Sequence, residues 1–60
     1  MNRIKANILW VDDEIDYLKP HILFLRERGY AVTAATNAED GISRIQEDRY
    51  DLLLLDEMLA

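Results

Sequence analysis

Leu52-Leu53-Leu54-Leu55-Asp56, preceded by Tyr50-Asp51, is the stretch whose reading decides the fold. Four consecutive leucines form a short, continuous apolar run, which suits a strand buried on both faces or a piece of buried helix. The turn-like Tyr50-Asp51 and the shortness of the run favour the strand. Such a strand shows no alternation when helices cover both faces of a parallel sheet. The run ends in a carboxylate. In an open parallel sheet, ligands bind in the crevice beyond the carboxyl ends of the strands, which is where Asp56 falls.

A second run ends the same way. Ile8-Leu9-Trp10-Val11 is apolar and stops at Asp12-Asp13-Glu14. If the two runs are parallel neighbours, Asp12, Asp13 and Asp56 converge at one edge of the sheet.

Between the runs the chain alternates strand and helix. Lys5 to Val11 reads as the first strand. Asp12 to Asp16 is an acidic turn, which suits a helix N-terminus electrostatically. Ile15, Leu18, Ile22 and Leu25 then recur at helical spacing, so a helix is expected from about Asp16 to Arg28. Gly29 supplies its stop. Pro20, falling in the first turns, is expected to kink this helix slightly. Tyr30 to Thr36 reads as a second strand, poor in large apolar residues and therefore at the sheet edge. Asn37 is a good N-cap, with Asp40 three residues on. A second helix follows to about Asp48, with Ala38, Ile42 and Ile45 expected on its buried face. Gly41 inside it costs ~1 kcal/mol relative to alanine, and a close contact with the sheet would account for it.

The order strand, helix, strand, helix, strand makes a doubly wound parallel sheet. The two richest apolar runs, expected to be the best buried, should be adjacent, with the Val32 strand outside the first. That is the strand order 2-1-3 of a partial flavodoxin-like α/β fold, whose switch point lies between strands one and three. Asp12, Asp13 and Asp56 flank that point.

Composition narrows the function. Sixty residues is near the practical lower limit for an unaided core. There is no cysteine, so neither a disulfide nor a thiolate metal site can help. A net charge of −5 argues against a basic surface for nucleic acid or anionic membrane. No apolar run approaches the ~18 residues of a membrane span, and the start Met1-Asn2-Arg3-Ile4-Lys5 is not a signal peptide. A cytoplasmic protein is the expectation. No internal repeat, low-complexity tract or linker is evident.

Three converging carboxylates repel one another unless a cation intervenes. Hard oxygen ligands with room for water suit Mg2+, which takes one or two protein carboxylates plus waters and phosphate oxygens. An aspartate beside such a metal can also be a nucleophile toward phosphorus. The blander reading makes these acids caps and solvated turns, as a lone Asp there usually is. A doublet and a distant Asp at the two switch-point strands weigh against it.

Ile8-Leu9-Trp10-Val11-Asp12-Asp13-Glu14 and Asp51-Leu52-Leu53-Leu54-Leu55-Asp56-Glu57 resemble the two signature stretches of bacterial two-component response-regulator receiver domains. The spacing between them matches too, and the resemblance covers all 60 residues. Within that family, residues 8–25 look most like PorX-type regulators, in which a receiver is joined to a PglZ-type effector domain. The resemblance implies a CheY-like fold and a module that accepts a phosphoryl group from a sensor histidine kinase with Mg2+. It matches Asp56 to the phosphoacceptor and Asp13 to the direct metal ligand. Asp12 matches the acidic partner that acts through water, and Met58 the position whose backbone carbonyl completes the metal site. The chain departs from the family where Leu59-Ala60 replaces the usual Met-Pro. The Ser/Thr and Lys that contact the phosphoryl group would lie beyond Ala60, so residues 1–60 correspond to the N-terminal half of a receiver domain, and any PglZ-type hydrolase activity would belong to an absent effector.

Other readings are weaker. A haloacid-dehalogenase-type phosphatase needs a second Asp where Met58 stands. A nucleotide-binding Rossmann unit needs glycines where Asp12-Asp13-Glu14 stand. The serious alternative is a receiver-like module that docks partners without being phosphorylated. Tyr17, Pro20, His21 and Phe24 form a second apolar stripe on the first helix. It either packs on a helix of the rest of the domain or docks the kinase's helical bundle, which the family resemblance places at the first helix. His21 has no second His or Cys beside it and reads as a helix-surface residue. The leucine strand is expected to have an open outer edge, which would pair with more of the same domain or with a second copy.

Overall fold

The computed structural model describes residues 3–56. The elements are β1 (Asn7–Val11), a 3-10 turn (Ile15–Leu18), α1 (Lys19–Glu27), β2 (Ala31–Ala35), α2 (Ala38–Glu47) and β3 (Leu52–Leu55). The three strands form one parallel sheet in the order β2-β1-β3. Ile8 pairs with Val32 on one side and Leu52 on the other, and Val11 with Ala35 and Leu55. This is the expected partial flavodoxin-like topology.

β1 is central, and its side chains serve two layers because neighbours along a strand point to opposite faces. Ile8 is buried with Ile22 of α1 and Val32 of β2, with Trp10, Leu18, Leu25 and Leu54 packed around them. Leu9 and Val11 are buried on the other face with Ala35, beside Tyr50. The continuous apolar run at residues 8–11 is therefore what a strand with two covered faces requires.

Gly41 explains how close α2 comes. A Cβ built there would lie 2.8 Å from Val11 Cγ2, a distance side chains do not tolerate. The helix therefore turns its glycine to β1, and this corrects the expectation for α2. Ile42 and Ile45, expected on the buried face, are 56% and 49% exposed, and Ala38 is exposed as well. Of these, Ile45 shares a cleft with Tyr50, Leu52 and Leu53. Gly41→Ala should cost ~1–3 kcal/mol by overpacking, despite alanine's better helix propensity. A denaturant midpoint that rises in this variant would contradict the close approach.

α1 is also corrected. The 3-10 turn carries Ile15–Leu18, and the α-helix starts only at Lys19. Pro20 then sits in the first helical turn, where its missing N–H has no intrahelical acceptor to lose. No kink is needed. Gly29 ends the helix with φ of +97°, and Tyr30 N–H donates back to the Leu25 carbonyl. Asn37 caps α2 by accepting from the Asp40 N–H at 2.8 Å.

β3 is less buried than its composition suggests. Leu54 is half-buried, but Leu52, Leu53 and Leu55 are exposed, Leu55 at 62%. β3 pairs with β1 alone, so its other edge is open among the described residues.

Candidate functional site

Hydrogen bonds that continue the sheet hold two aspartates at its carboxyl edge. The Asp12 N–H donates to the Ala35 carbonyl and the Asp56 N–H to the Val11 carbonyl, each at 3.0 Å. The ladder thus runs one residue past β1 and β3, and both backbones emerge side by side. The Glu14 N–H donates to Asp12 Oδ1 at 2.8 Å. This Asx-type turn bends residues 12–14 over the sheet edge. The Tyr17 N–H donates to the Glu14 carbonyl at 2.9 Å and opens the 3-10 turn.

Asp12, Asp13 and Asp56 each bring a carboxylate oxygen to within 4.8 Å of the others. Asp12 and Asp56 are half-buried and Asp13 is exposed. The donor set fits Mg2+: all three ligands are hard oxygens, and the exposed side at Asp13 leaves room for water. The convergence expected from the two strand ends is therefore present. Met58, Leu59 and Ala60 lie outside the described residues.

The remaining candidates fall elsewhere. Tyr17 lies in the 3-10 turn and is 80% exposed. His21 and Phe24 are exposed on α1, with the Arg28 guanidinium 4.6 Å from the Phe24 ring centroid. None of them belongs to the carboxylate cluster. What sequence reasoning missed is a basic cleft at the opposite edge of the sheet. Its cations come from two short stretches, Arg3-Ile4-Lys5 and Arg26-Glu27-Arg28, more than twenty residues apart, and neither alone signals a shared site.

No protein-family model matches the chain. The chain is 36% identical over 55 residues to the transcriptional regulatory protein ResD of Bacillus subtilis, a match covering 92% of this chain. It is 35% identical over its full 60 residues to the transcriptional regulatory protein ZraR of Salmonella typhimurium, and equally to that of Salmonella typhi. The chain spans 23% of the length of ResD and 14% of that of ZraR. Together with the strand order, these similarities support a receiver domain.

Proposed function

We propose that the chain is the phosphoacceptor part of a receiver module in two-component signalling. The observation that carries this is the convergence of Asp12, Asp13 and Asp56 at the carboxyl edge of β1 and β3. In this reading Asp56 is the nucleophile. One of its carboxylate oxygens attacks the phosphorus of a kinase phosphohistidine. The bond from phosphorus to the imidazole nitrogen breaks, and the imidazole keeps the electron pair and takes up a proton. Asp12, Asp13 and Asp56 would hold Mg2+, with the position matched by the resemblance to a metal-binding carbonyl, Met58, lying outside the described residues. When bound, the ion neutralises charge on the phosphoryl oxygens. The protein's own contribution is to hold Asp56 rigidly by its backbone, beside the oxygens that place the ion.

The module works in the cytoplasm with a sensor histidine kinase, and the likeness of residues 8–25 to PorX-type regulators makes that type part of the reading. Tyr17, His21 and Phe24 are its proposed kinase-docking residues, and their exposure supports that role. Nucleic acid and membrane are not its direct partners. A Mg2+ titration of the full-length protein tests the reading. Mg2+ should perturb the amides of residues 12–14 and 56, and Asp13→Asn should weaken binding by at least ~10-fold, as loss of a charged ligand does. A module that only docks would show no such binding, and that result would overturn the proposal.

Residues 1–60 act in this reading as the N-terminal half of the receiver. The open edge of β3 is then paired by further strands of the domain, or by β3 of a second copy. Open N–H and C=O groups beside exposed leucines recruit another chain. The 60-residue chain alone is therefore expected to sediment as more than a monomer. A dilute monomer with protected β3 amides would refute this.

A further inference from the structure

The edge of the sheet opposite the aspartates carries a second charged feature. A cleft of about 620 Å³ lies between the segment before β1, the end of α1 and the start of β2. Arg3, Lys5, Arg26 and Arg28 line it, and Glu27 is the one acid that does. Four of the seven Lys and Arg residues thus face one cleft in a chain of net charge −5. Among the described residues the ion pairs are Lys19–Asp16 and Arg44–Asp40, so none of the four cleft cations has a carboxylate partner there.

Arg26 and Lys5 are held in place by other contacts, and the Arg28 guanidinium lies over the Phe24 ring, 4.6 Å from its centroid. The Arg26 Nη2 donates to the Val32 carbonyl at 2.8 Å. Lys5 Nζ stands 5.6 Å from the Tyr30 ring centroid, and the Lys5 N–H donates to the Gly29 carbonyl at 2.8 Å. Four cations around a concavity that only one acid, Glu27, also lines give it a net positive potential. The cleft lies on the β2 side, away from the open β3 edge. The run from Lys5 to Asp12 spans roughly 23 Å at ~3.3 Å per residue. That exceeds the ~8–10 Å screening length at physiological salt, so Asp12, Asp13 and Asp56 do not cancel its field; the acids at this edge are Glu27 and Asp51, whose Oδ2 accepts from the Asn7 N–H at 2.8 Å.

We infer that this cleft is a binding site for a small diphosphate anion. Guanidinium groups match phosphate oxygens in paired, charge-assisted hydrogen bonds. Arg3 approaches from the segment before β1 and Arg26 with Arg28 from the end of α1, around a hollow of ordinary ligand size. That arrangement suits a compact, multiply charged anion better than an extended acidic peptide.

The test is an amide NMR titration of the full-length protein with sodium pyrophosphate, in EDTA so that no metal bridges to Asp12, Asp13 or Asp56. Saturable shifts at Lys5, Gly29 and Tyr30 are expected. Arg3→Gln/Arg28→Gln, which leaves the Arg26 hydrogen bond intact, should weaken binding at least ~10-fold, as loss of two charge-assisted contacts does, with its spectrum otherwise native. Asp12→Asn/Asp13→Asn should bind as the parent does. Three results would overturn the inference: the same shifts with sodium chloride at matched ionic strength, unchanged affinity in the arginine variant, or tighter binding of hexaglutamate than of pyrophosphate.

Discussion

Asp56→Asn will abolish labelling of the full-length protein by acetyl phosphate, lowering the rate by at least ~100-fold, because the amide keeps the shape and removes the nucleophile. The fold should not suffer. The bond that holds this residue beside Val11 runs through its backbone N–H, which the substitution leaves in place. Loss of labelling with an unchanged denaturation midpoint therefore isolates the chemistry from the scaffold. Labelling at the parental rate would move the phosphoacceptor away from Asp56. Labelling that persists in the parent after Mg2+ is chelated would remove the metal from the proposed mechanism, while leaving Asp56 as acceptor.

Leu9→Ala will give the largest loss of stability of any single truncation in β1. Leu9 is fully buried on the α2 face with Val11 and Ala35. Removing such a side chain costs ~2–5 kcal/mol, since the transfer term and the cavity term add. Against a whole-domain stability of ~5–15 kcal/mol, that is enough to unfold a marginal protein. The measurement is a urea midpoint for the full-length protein. A loss below ~1 kcal/mol would mean that the α2 layer collapses freely onto the sheet, against the usual rigidity of packed interiors.

The strand order, the central place of β1 and the meeting of the aspartates were legible in the sequence. Each rests on a local signal. Ile8 to Val11 lacks alternation because both faces of β1 are covered, whereas Leu52 to Leu55 reads the same way with three of its leucines exposed; each run ends in Asp at the edge where such sheets hold ligands. Asn37 and Gly29 were legible for the same reason: a cap and a stop act within one turn of their own residue.

The sequence by itself determined which segments are strands and helices, how the strands are ordered, and that Asp12, Asp13 and Asp56 share an edge. Those features depend on residue type and on neighbours a few positions away. Tertiary structure alone decided which side of α2 faces inward. Apolar spacing pointed to Ile42 and Ile45, but the 2.8 Å approach of a would-be Gly41 Cβ to Val11 fixes the contact line through the glycine. Helical periodicity ranks faces by hydrophobicity, whereas close packing ranks them by the distance each can reach. Tertiary structure also delayed α1 to Lys19, with Ile15–Leu18 in a 3-10 turn behind the Asp12 loop. It alone gathered Arg3, Lys5, Arg26 and Arg28 into one cleft. Residues so far apart in the chain carry no shared local pattern, and only the return of β2 alongside β1 brings them together.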